Sequence, residues 1–360
     1  MKTLVGRTPR AARSKRRVQR RNLVSKAFGW HKPPSCLLRA SEVVAARQPP
    51  PTDFFLKPRC KMKTILAIIL LTATTTPAEG IETNYAAYGQ FIVTPFTSAP
   101  FPHPARTNGH TYQNKSYTAV EHYSDSTVAI FVPKSFRETG TVDFVVHFHG
   151  WHNSVAGTLS QFRLIEQLVA SGKNAVLIVP EGPHNAPDSF GGKLEDTNGF
   201  KTFMHEAAET LRHGARLQQT NFALGNIILS GHSGGYHVMS AIVNRGGLPV
   251  KEVWLFDALY GGTENFLSWS DAQPGRLLDI YTDYGGTTNE TGRLMKRLKD
   301  RGTSFLATED SKAPPAELRT NRWIFLHTDL THNDVIEKRK TFTQFLETSC
   351  LQDASRALAE

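Results

Sequence analysis

A chain of 360 residues, 39% of them hydrophobic, can bury a full core, which excludes a disordered or disulfide-stapled miniature and fits one large domain with extensions. Its formal charge of +10 has the sign of a protein that meets nucleic acid or an acidic surface. The excess is local: residues 1–61 hold 16 basic and 2 acidic side chains, leaving 26 of the 42 basic and 30 of the 32 acidic residues for the rest, so no nucleic-acid partner is expected for the main domain.

The densest basic run, residues 13–21, has the clustered guanidinium groups of an RNA-binding or localisation tail, yet no aromatic residues interleave with it to stack on bases. A different pattern opens at Met62: Lys63, a short apolar stretch over 65–71, then small residues up to Ala78 before Glu79. This layout predicts a secretory signal peptide at 62–78, too short in its apolar part for a stable membrane span. Such a segment normally stands first, so residues 1–61 are expected to be a basic disordered extension left by an over-extended gene model, and the mature protein secreted or periplasmic. A buried strand behind a basic tail is the competing reading. On the export reading Cys36 and Cys60 fall outside the mature protein, and Cys350 alone can make no internal disulfide.

Residues 79–115 are rich in Pro, Thr, Gly and Asn and predict an irregular lead-in. Residues 127–133 and 142–149 are β-branched and aromatic runs that predict buried strands, the first pairing antiparallel with 117–123. Beyond them the pattern alternates. A helix is expected over 159–169, a strand at 175–180, a helix over 200–211, a strand at 226–230 and a helix from 236. Strands at 253–256 and 277–281, a helix over 292–301, a strand at 323–327 and a closing helix over 335–348 complete the series. Strands alternating with amphipathic helices imply an α/β fold over 116–360: a mostly parallel central sheet with helices on both faces, whose sites lie at the carboxyl ends of strands.

Gly-His-Ser-Gly-Gly at 231–235 fits G-x-S-x-G between an apolar strand and a helix, which singles out Ser233 as nucleophile. The helix behind it leaves amides unpaired at its N-terminus, so the Gly234 N–H is a candidate oxyanion donor. The earlier run His-Phe-His-Gly-Trp-His at 147–152 resembles the His-Gly segment of esterases and lipases, with Gly150 allowing the turn and the Trp151 N–H the second donor. His147, His149 and His152 as metal ligands are the rival reading; the carboxylates that metal hydrolases usually add are missing nearby, so no metal is expected. His332, after the last strand, is the candidate general base, and His327 the structural one. Asp257 and Asp283 each end a strand between Ser233 and His332. Asp283 sits in a turn sequence, whereas Asp257 interrupts an apolar run and needs a strong partner, so Asp257 is preferred and Asp283 stays open.

With these pieces in chain order, residues 126–348 resemble the α/β-hydrolase superfamily. Val-His-Phe-His-Gly-Trp, Ser-Gly-His-Ser-Gly-Gly-Tyr and Leu-Phe-Asp-Ala-Leu-Tyr-Gly are also similar to segments of secreted bacterial hydrolases. The resemblance implies a Ser-His-Asp triad, acyl-enzyme chemistry and no cofactor. The expected activity is hydrolysis of carboxylic esters, with a peptidase or amidase, or a non-catalytic or metal-binding protein on the same scaffold, as alternatives. The polar, glycine-rich stretch 181–195 is expected to help wall the pocket and to favour a small-molecule, glycan or peptide ester; oligomeric state is open.

Overall fold

The computed structural model describes residues 83–215, 217 and 221–355, so the basic extension and the expected signal peptide lie outside the described residues. In chain order the strands are β1 (Gly89–Pro95), a hairpin of β2 (His110–Tyr112) and β3 (Lys115–Tyr117), β4 (Thr127–Pro133), β5 (Thr141–Phe148), β6 (Ala175–Pro180), β7 (Ala223–His232), β8 (Glu252–Phe256), β9 (Arg276–Thr282), β10 (Leu306–Glu309) and β11 (Trp323–Thr328). A nine-stranded sheet takes them in the order β1-β4-β6-β5-β7-β8-β9-β11-β10. β4 runs antiparallel to both its neighbours, and the pairs from β6 onward are parallel. The mostly parallel sheet expected from the alternating pattern is present.

The helices are α1 (Ala119–His122), α2 (Val155–Phe162), α3 (Leu164–Ser171), α4 (Gly199–Gly214), α5 (Tyr236–Arg245), α6 (Thr263–Ala272), α7 (Thr288–Asp300), α8 (Pro315–Thr320) and α9 (Thr341–Glu347). Side chains alternate along each strand, so the sheet feeds two cores. Val128, Ile130, Phe144 and Val146 face α4 to α7, where Phe200, Phe203, Met239, Phe266 and Leu294 are buried. Ala129, Phe131 and Val145 face α2, α3, α8 and α9, where Phe162, Ile165, Leu318 and Phe342 are buried. Burying a side chain of this size contributes roughly 2 kcal/mol against conformational entropy.

Several local expectations change. Residues 117–123 do not pair with β4. Thr118 accepts the Glu121 N–H at 3.3 Å and caps the one-turn α1, while β1, from within the supposed irregular lead-in, supplies β4's antiparallel partner. Proline-rich surroundings hid the short apolar run Phe91, Ile92 and Val93. The helix expected over 159–169 breaks at Arg163, whose left-handed φ of 49° separates α2 from α3. The closing helix is shorter than its pattern, occupying Thr341–Glu347, although Val335 and Ile336 ahead of it are buried. The hairpin, α6, α8 and β10 were too short or too weakly periodic to be foreseen.

Candidate active site

β7 ends at His232, and the chain turns through a single helical turn, Ser233–Gly235, into α5. Ser233 has φ +52°, a left-handed conformation that a β-carbon disfavours and that surrounding structure must hold. Close packing enforces it. A Cβ on Gly235 would stand 2.7 Å from the Phe148 carbonyl oxygen, and one on Gly150 would stand 2.6 Å from Ser233 Cβ. The ends of β5 and β7 therefore meet only because both positions lack side chains. A serine on a strained strand-to-helix turn, projecting at the carboxyl edge of a mostly parallel sheet, decides the architecture. The chain has the α/β-hydrolase fold.

No protein-family model matches the sequence, and no curated protein is detectably similar to it. Solved structures that resemble the chain include a fluorophosphonate-binding serine hydrolase of Staphylococcus aureus, FphF, at 9% identity and TM-score 0.43, covering 72% of this chain and 99% of that one. Others are the feruloyl esterase module of Clostridium thermocellum complexed with sinapinate (10% identity, TM-score 0.43, 72% and 88% covered) and carboxyl esterase 2 of Tuber melanosporum (12%, 0.43, 76% and 90%). At such identities these are similarities of fold.

On this α/β-hydrolase scaffold the two aspartates and the two late histidines sort into separate pairs. Asp257 directly follows β8 with φ +44° and no exposure. Its Oδ2 lies 2.5 Å from His332 Nδ1, while its Oδ1 accepts a short hydrogen bond from the Thr287 hydroxyl and a long one, 3.4 Å, from the Thr282 N–H. A fully buried carboxylate is stable only with such donors. Asp283, whose side chain is 65% exposed, instead faces His327 Nε2 at 3.2 Å. With Nδ1–H committed to Asp257, the half-buried His332 ring leaves Nε2 to receive a proton.

His232, the residue before Ser233, steadies that ring. Its Nε2–H donates to the His332 carbonyl at 2.8 Å, and the two rings lie 4.5 Å apart. Burial, with the neighbouring His332 adding to it, holds His232 down at about 4, so it stays neutral and keeps the proton its hydrogen bond requires. Tyr260 stands on the same side: its hydroxyl donates to Gly285 O in a short bond and lies against the Ser233 side chain. Burial and the Asp257 charge push Tyr260 up to about 12, keeping it a neutral phenol.

On the opposite side, Gly150 abuts Ser233 and the next amide, Trp151 N–H, has no hydrogen-bond partner among the described residues. Gly234 is buried behind Ser233, beneath the Trp151 ring. The Trp151 indole N–H donates to Ser189 Oγ at 2.7 Å and its ring meets Tyr112 edge-on at 5.1 Å. Glu195 binds His237 Nδ1 at 2.7 Å. The stretch 181–195 thus lies against the turn that carries Ser233, where the sequence put a pocket wall.

The rival metal reading of the early histidines does not hold. His147 is fully buried with Nδ1 on Ser230 Oγ at 2.8 Å, His149 faces Glu181 at 3.1 Å, and His152 is exposed. They do not converge. The described group whose ligand atoms lie close enough to share a cation, within 4.8 Å, is Asp125, Glu181 and His184, and it includes none of the three. Thr287, His232, Glu181 and Tyr260 were not assigned roles from the sequence, although His232, Glu181 and Tyr260 lay inside segments already singled out; Thr287 alone lay outside them.

Proposed function

We propose that the protein hydrolyses carboxylic esters through an acyl-enzyme formed on Ser233. The observation that carries this reading is the buried Asp257 carboxylate on His332 Nδ1, on the same sheet edge as a serine held at φ +52°. His332 Nε2 takes the Ser233 proton as Oγ attacks the ester carbonyl. The oxyanion is held by the Trp151 and Gly234 amides, and the proton passes to the departing alcohol. Water, activated by the same imidazole, then attacks the acyl-enzyme and releases the acid. His332 takes the water's proton and returns it to Ser233 Oγ as the acid leaves, so with one ester and one water consumed the proton count closes at each turnover.

Exposed rings support a cyclic substrate portion. Trp151 is 41% exposed, Tyr260 39% and Tyr284 74%, all just beyond strand ends at this edge of the sheet. Flat apolar faces with polar tips suit a sugar or aryl ring better than an alkyl chain. Export follows from the signal-peptide pattern at 62–78. The test of the activity is labelling by a fluorophosphonate probe with hydrolysis of p-nitrophenyl acetate, both expected to vanish in Ser233→Ala. A parent protein that resists the probe, or hydrolysis that survives Ser233→Ala, sinks the proposal.

A further inference from the structure

The turn that carries Gly150 and Trp151 is tied down from behind by residues with no assigned role. His149 Nδ1 lies 2.8 Å from the Gly150 carbonyl oxygen; since a carbonyl can only accept, Nδ1 carries the proton. The other ring nitrogen, Nε2, has two partners just past the end of β6: when unprotonated it accepts the Gly182 N–H at 2.9 Å, and when protonated it donates to Glu181 Oε1 at 3.1 Å, with Nδ1–H on Gly150 O in either form. Glu181 is 2% exposed, and its second oxygen accepts the Val155 N–H at the start of α2, at 2.9 Å. One buried carboxylate thus joins β6, the first turn of α2 and the His149 ring. Burial opposes its charge, but the contacts to His149 and His184 and the Val155 amide prevail and hold it at about 2.

The geometry of a peptide unit carries the consequence. In a planar trans peptide the C=O and N–H point in opposite directions. Fixing the Gly150 oxygen against His149 therefore fixes the direction of the Trp151 N–H, the amide that has no partner beside Ser233 among the described residues.

We infer that His149, braced by Glu181 and the Gly182 amide, is the positioning residue that pre-aims the Trp151 N–H for the oxyanion. The inference rests on the ester-hydrolase reading above. A donor already aimed costs no reorganisation when charge develops, and this is where electrostatic catalysis gains most. Simple packing of the ring would need neither the Nδ1 proton nor its alignment with the next carbonyl.

The experiment compares the parent with His149→Asn and His149→Leu in steady-state hydrolysis of a p-nitrophenyl ester, with thermal melting as a control for folding. Asparagine places an amide nitrogen where Nδ1 stands and can donate to Gly150 O; leucine cannot. The leucine variant is expected to lose kcat on the order of 100-fold with KM changed by less than about threefold, the pattern of an interaction made in the transition state. The asparagine variant should keep kcat within roughly fivefold. A folded leucine variant with the parent's kcat overturns the inference. So does a folded asparagine variant as slow as leucine; if leucine fails to fold, the asparagine result decides alone. A parent that neither hydrolyses the ester nor takes the probe removes both readings, whereas an active parent with a kinetically silent His149 removes only this one.

Discussion

Asp257 and Asp283 look alike in sequence, each closing a strand, and their side chains end in opposite circumstances. One is sealed from water with three donors; the other is largely solvated beside His327. The proposed mechanism therefore predicts that Asp257→Asn lowers kcat by about 10³–10⁴, because an amide disturbs the tautomer and charge that the imidazole needs, while Asp283→Asn stays within roughly twofold. Steady-state kinetics on the two variants measures this directly, and equal losses would mean that the carboxylates are misassigned. The apolar run around Asp257 was a legible sign that it needed a partner, since a carboxylate there is untenable alone. Thr287 was not legible, because threonines at helix starts are ordinarily capping residues. This one makes no capping bond to its own helix and gives its hydroxyl to Asp257 instead. Thr287→Val should lower kcat about tenfold, the worth of a hydrogen bond to a charged group, and Thr287→Ser should restore it.

Elements bring these residues together from far apart in sequence, and here the pattern was a partial guide. Strand runs such as Ala175–Pro180, and the 226–230 core of the longer Ala223–His232, were visible because buried β-branched residues leave few alternatives. The breaks were not: Arg163 takes a left-handed turn with no glycine to announce it, and β1 is masked by the prolines that follow. The contact between the ends of β5 and β7 makes a sharp prediction at this scale. Gly150→Ala puts a methyl group 2.6 Å from Ser233 Cβ, well inside contact distance, so the two turns must part. Probe labelling of Ser233 should fall at least tenfold while the protein remains folded, since only the junction moves. A variant labelled at the parent rate would show that the turns are not packed as described.

Across the whole molecule, buried titratable groups set how stability answers to pH. Asp279, fully buried on β9 with Thr291 Oγ1 at 2.7 Å, is raised to about 7 from the ordinary 3.8: burial raises it, the threonine bond opposes, and the Asp257 charge adds. Between about pH 4 and 7 the unfolded chain gives up a proton that the folded chain keeps, so this group's contribution falls as pH rises through that window. Asp279→Asn should therefore gain stability relative to the parent between pH 4 and 7, by up to a few kcal/mol, since each tenfold change in proton affinity is worth about 1.4 kcal/mol. His232 has the opposite sign. Held at about 4 against the ordinary 6.5, it favours the folded state above pH 6.5 and loses that contribution as pH falls toward 4. Urea unfolding of parent and Asp279→Asn at pH 5 and pH 8 separates the two, and a pH-independent difference would overturn the assignment to Asp279.

The edge strand β1 also has a practical meaning for anyone preparing the protein. A recombinant version begun at residue 116, where the sequence pattern alone would place the domain boundary, would strip the seven-residue partner from β4 and leave a row of unpaired backbone amides and carbonyls at a sheet edge. It would also remove Phe101, which packs with Tyr117, Tyr123 and Ala186 beneath the stretch 181–195. Such a fragment should precipitate or self-associate, whereas one begun at Thr83 keeps β4 paired with β1; the shortest workable expression boundary lies upstream of Gly89.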